Sequence, residues 1–84
     1  MPHDLLSQRI ATTLKAEMAR RDVTQESLAR KLGVSQQFIS RRLSGRVTLS
    51  VDELSDIAVA IGVPVADLIA LDEYVAKRDE ERAS

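Results

Sequence analysis

From Gly33 to Gly45 the chain reads GVSQQFISRRLSG, with two glutamines, three serines and two arginines set among apolar residues. On a helix advancing about 100° per residue, Gln36, Ser40, Ser44, Gln37 and Arg41 fall within about 140° of one another. Phe38, Arg42, Ile39 and Leu43 take the other side. An amphipathic surface helix has the same outline, but such helices usually carry Lys and Glu. This face carries Gln, Ser and Arg and no carboxylate. A glutamine amide donates and accepts in register with adenine N6 and N7, and a guanidinium donates twice to guanine O6 and N7. No acidic residue occurs between Glu26 and Asp52, so nothing in that span repels phosphate. Arg30, Lys31, Arg42 and Arg46 surround the segment and are available to a phosphate backbone.

Other chemistry has less to stand on. The single histidine, His3, lies near a terminus, and the serines have no plausible base beside them. Asp52, Glu53, Asp56 and Asp67 fall in or near first turns of helices, where a carboxylate favours the helix dipole, and they read as caps rather than metal ligands. The chain has no cysteine, which removes disulfides, thiolate zinc sites and cysteine nucleophiles together. It has no glycine-rich phosphate loop. No enzyme activity, metal or cofactor is expected.

The elements that must position the polar face follow from spacing and caps. Leu6, Ile10, Leu14 and Met18 recur every fourth residue and predict a first helix over roughly 4–21, interrupted by Asp22 and Val23. Thr24 is a good N-cap for a second helix with Leu28, Ala29 and Leu32 inward, closed by Gly33. Ser35 caps a third helix running to about Ser44, followed by a loop that tucks Val47 and Leu49 against the core. Ser50 and Glu53 make a capping box, with Leu49 and Leu54 placed as a hydrophobic staple. The fourth helix then turns Leu54, Ile57, Ala58 and Ile61 inward and ends at Gly62. Pro64 suits the first turn of a fifth helix carrying Leu68, Leu71 and Val75. The reading is one all-α domain of five short helices over residues 1–71. Residues 72–84, eight of the last 13 being charged, form a tail that is either a helical extension or disordered.

Net charge is −1, but residues 1–50 hold nine Lys/Arg against four Asp/Glu and residues 51–84 three against nine. A positive half and a negative half orient a small domain toward a polyanion. No apolar run suggests a signal peptide or a membrane span, and a cytoplasmic location is expected.

The stretch TQESLARKLGVSQQFISRRL therefore reads as helix, glycine-containing turn, helix. With LSGR after it and LSDIAVAIGVPVADLI further on, it resembles the Cro/C1-type (XRE-like) helix-turn-helix domain of phage repressors and bacterial regulators. Gln25, Ala29, Gly33, Val34 and Ile39 stand at that family's spacing. The resemblance implies a compact five-helix, lambda-repressor-like domain that binds double-stranded DNA through its third helix. It implies base reading by Ser35, Gln36, Gln37 and Arg41, and a phosphate contact by Gln25 with Ser44 near the backbone. Arg30, Lys31 and Arg46 join the phosphate set on charge and position. A symmetric homodimer on an inverted repeat is expected, paired through the fourth and fifth helices and the tail (Ile69, Tyr74, Val75). The alternative is an antitoxin or protein-interaction module on the same scaffold.

Two positions depart from the family pattern. Some members join the first and third helices by a buried Arg–Glu pair where this chain has Met18 and Leu43, an apolar swap expected to be neutral to the fold. Relatives often place a large apolar residue where this chain has Arg42. Its stem is expected to lie beside Phe38 and Ile39 with the guanidinium reaching outward, to a phosphate or to a carboxylate. Phe38 itself is expected mainly to pad the junction of the second and third helices.

Overall fold

The computed structural model describes residues 6–83, and His3 lies outside them. Five helices follow in order: α1 (Leu6–Arg20), α2 (Gln25–Leu32), α3 (Gln36–Leu43), α4 (Val51–Ile61) and α5 (Val65–Ala83). Ile10, Leu14 and Met18 of α1, Leu28 and Ala29 of α2, and Ile39 and Leu43 of α3 meet Ile57, Ala58, Ile61 and Leu68 in one buried cluster. Val34, Phe38 and Leu54 pack against its edge. α2 and α3 touch each other, α1 lies across α3 and α5, and α4 packs on both α2 and α5. No single helix among the described residues is long and apolar enough to cross a membrane.

The helix starts follow the caps. Thr24 and Ser27 form a reciprocal capping box on α2, the Thr24 hydroxyl accepting from the Ser27 amide at 3.0 Å. Ser35 accepts from the Phe38 amide at 3.0 Å, and Ser50 and Glu53 form the second reciprocal box. Pro64 stands one residue ahead of α5 rather than inside it, and its carbonyl accepts from the amides of Asp67 and Leu68. The ring's fixed φ is thus used to enter the helix. The charged stretch from Asp72 to Ala83 is the second half of α5.

Three helix ends share one device. Gly33 and Gly62 adopt left-handed backbone, and the amides of Val34 and Val63 reach back to the carbonyls of Ala29 and Ala58 at 3.0 and 2.9 Å. This is the Schellman closure, in which an apolar residue follows the left-handed one and packs back on the helix. Asp22 does the same work without being glycine. At φ 56° it ends α1, and the Val23 amide bonds to the Met18 carbonyl at 2.9 Å. Glu17 is buried in α1; its Oε1 accepts from Arg21 at 2.6 Å, and Arg20 stands 3.4 Å from Oε2.

Candidate nucleic-acid interface

The packing of α3 decides which side of it meets solvent. Ile39 and Leu43 are fully buried and Phe38 is half-buried, so Gln36, Gln37, Ser40 and Arg41 are exposed on the opposite face. Ala29 of α2 is buried, and Val34 in the turn between α2 and α3 packs against the core. Gln37, Ser40, Arg41, Ser44 and Arg46 together line an open concavity of about 350 Å³. The first turn of α3 contains no acidic residue, which leaves the positive end of its dipole uncompensated.

The other expected contacts are not all gathered there. Ser35 is exposed, but its hydroxyl oxygen is engaged as the α3 cap. Ser44 donates to the Arg41 carbonyl at 3.1 Å and accepts from the Arg46 amide at 3.4 Å, shaping the turn that presents Arg46. Gln25 is half-buried at the start of α2. Arg30 pairs loosely with Glu26 along α2, 3.9 Å apart and with both side chains mostly in water, so that pair holds it weakly. Lys31 points elsewhere. Its Nζ donates to the Ala60 carbonyl at 2.9 Å, among Leu32, Asp56 and Val59. α4 has no basic residue in its own last turn, and Lys31 supplies one from α2.

Arg42 is held by α4. Its Nη2 and Nε donate to the two carboxylate oxygens of Glu53 at 3.1 and 3.3 Å, and its guanidinium carbon lies 3.9 Å from the centre of the Phe38 ring. The hydrogen bond from Arg42, with that from the Ser50 amide next, holds the Glu53 carboxyl below its ordinary value. The Arg42 stem thus lies beside Phe38 as expected, and of the two partners left open, phosphate or carboxylate, the guanidinium takes a carboxylate. The clue available was Glu53 itself, which the capping box fixes at the N-terminus of α4. Glu17 is a further buried residue, and its signal was in the spacing: it stands three residues after Leu14 on the inner stripe, with Arg20 and Arg21 three and four residues on.

An all-α domain with a glycine-closed turn between two short helices, the second showing an acid-free polar face, defines the helix-turn-helix class. Residues 14–68 match the helix-turn-helix family, of the Cro/C1 type, and the chain belongs to it. Among solved structures, it is similar to the clp gene regulator ClgR from Corynebacterium glutamicum. One ClgR structure has 28% identity over 89% of this chain and 95% of that one, with a TM-score of 0.78. A second shows 28% identity over 98% and 93%, at 0.79. A hypothetical transcription factor, NHTF, from Neisseria shares the fold at 23% identity, 81% and 79% coverage and a TM-score of 0.69. No curated protein sequence matches.

Proposed function

We propose that the chain is a sequence-specific double-stranded DNA-binding regulator of transcription that acts by occupancy, as a repressor. The observation that carries this reading is the exposed, acid-free face of α3, whose Gln37 and Arg41 share one concavity with Ser44 and Arg46. α3 enters the major groove, with Gln36, Gln37 and Arg41 reading base edges and Arg46 anchoring a phosphate. One module reads few base pairs, so specificity comes from a symmetric homodimer on an inverted repeat, its half-sites about one helical turn apart. Membership of the family and the likeness to a gene regulator support the DNA target.

Selection of bound duplexes from a random pool, at low and moderate salt, tests it. An inverted repeat enriched at both salts is the expected result. Enrichment of nothing, with binding that vanishes on adding salt, would leave only phosphate attraction and favour a protein-interaction module. On the selected duplex, Gln37→Ala should relax preference at one position by about 1–3 kcal/mol. Arg46→Ala should weaken all sequences alike and reduce the salt slope by about one.

A further inference from the structure

Arg42 carries one of the positive charges of the basic half of the chain, sits on the recognition helix, and stands beside Arg41. We propose that it is nevertheless a positioning residue and not a DNA contact: Arg42 and Glu53 pin the loop that presents Arg46 to its place beside α3.

The pair is half-buried, with side-chain exposures of 18% for Arg42 and 24% for Glu53. Two parallel bonds and the flat stack on Phe38 fix the guanidinium in three directions. Glu53 does two jobs at once, since its Oε1 also accepts from the Ser50 amide at 3.0 Å while the Ser50 hydroxyl caps the Glu53 amide. One carboxylate thereby ties α3 to the first residue of the α4 cap. The segment between these ends is tied further. The Val47 amide donates to the Arg41 carbonyl at 3.2 Å, and the Leu49 amide donates to Ser7 Oγ at 2.9 Å. Gly45 enters the loop at φ 83°, where a Cβ would also come within 3.2 Å of Gln8 Cγ. Arg46 thus projects from a loop closed on both sides.

Two consequences follow. A cation already neutralised by a carboxylate displaces no counterion from DNA, so Arg42 contributes nothing to the salt dependence of binding. To reach a phosphate it would have to leave Glu53 without its charge partner in a half-buried site. The loop, for its part, meets DNA already ordered, which spares the complex the entropy of fixing it.

This inference rests on the DNA-binding reading for its affinity arm but not for its structural arm. The variants are Arg42→Leu, Glu53→Gln and the double change; glutamine still serves in a capping box, so Glu53→Gln removes the ion pair and keeps the cap. Without DNA, amide hydrogen exchange at Val47 should quicken about five- to tenfold in each single variant and no further in the double, the loss of one linked interaction. With the selected duplex, Arg42→Leu should lose about three- to tenfold in affinity with the salt slope unchanged. A slope lowered by about one in Arg42→Leu, with Glu53→Gln binding as well as or better than the parent, would make Arg42 a phosphate contact and overturn the proposal. Unchanged Val47 exchange in both single variants would overturn it as well. If the parent chain selects no duplex, the DNA reading fails, and the exchange measurement alone still decides whether the pair pins the loop.

Discussion

Asp22 is the one described residue other than glycine in left-handed backbone. A Cβ there disfavours the conformation by roughly 1–2 kcal/mol for most residues, less for Asp and Asn. Glycine avoids that strain but gives up about 0.5–1 kcal/mol of unfolded-state entropy. The balance predicts that Asp22→Gly raises stability slightly, by roughly 0.5 kcal/mol. Asp22→Val should lower it by more than about 1 kcal/mol, because a β-branched side chain is a worse tenant of that region. Denaturant midpoints at constant m-value measure both; a neutral Asp22→Val would contradict the left-handed turn. Legibility at this scale divides along chemical lines. Thr24, Ser35, Ser50, Gly33 and Gly62 announced their roles because caps and left-handed closures select a few residue types. Asp22 read only as an interruption, since aspartate is common in many turns. The partner of Arg42 was hidden because an ion pair between distant positions leaves no periodic trace, whereas Glu17 stands at helical spacing from both its apolar neighbours and its arginine partners.

At the scale of elements, the fold was readable because every helix carries a start or stop signal in agreement with its apolar stripe. The substitution of Met18 and Leu43 for an Arg–Glu pair is explained by their environment, for both are at most 4% exposed and lie in the same core cluster. Leu43→Glu alone should destabilise by more than about 2 kcal/mol, since it buries a charge and removes packing. Adding Met18→Arg should recover a good part of that loss by rebuilding the family's pair. Recovery of nothing would mean that the two side chains do not face one another. The link from α3 to α4 gives a pH signature instead. Glu53 has its pKa lowered in the folded state by Arg42 and the Ser50 cap, so its stabilisation is complete above the unfolded carboxylate value. It disappears as pH falls through the depressed folded value. Melting temperatures of the parent and Glu53→Gln should therefore differ at about pH 6 and converge as pH falls below the ordinary carboxylate range. A gap that persists unchanged into acid would remove the ion pair as its cause.

For the molecule as a whole, the two charge halves found in sequence fall on different elements. The basic half supplies α1 to α3 and the loop of Arg46; the acidic half supplies α4 and α5. That division puts the net positive charge on α1 to α3 and the net negative charge on α4 and α5. The surface for the proposed self-pairing was the least legible in the sequence, because exposure of an apolar side chain depends on what the rest of the fold covers. Tyr74 and Val75 lie outside the residues whose side chains are described. Ile69 is 39% exposed and opens onto an uncharged groove with Leu6, Ile10, Leu49, Val51, Leu54 and Val65. A twofold contact must match a surface to itself, and an apolar surface without charge does so without repulsion. Nine residues line the groove, whereas a stable interface engages about 20–30 on each side. The groove alone therefore suits a pair that forms on DNA rather than in free solution. Sedimentation of the free chain at micromolar concentration should show a monomer, and titration of a two-half-site duplex should be cooperative. Val51→Asp places a charge on the most exposed of these side chains, at 81%, in a helix first turn that tolerates an acid. It should abolish the cooperativity while leaving affinity for a single half-site unchanged. Cooperativity that survives both Val51→Asp and Ile69→Asp would move the twofold contact to another surface.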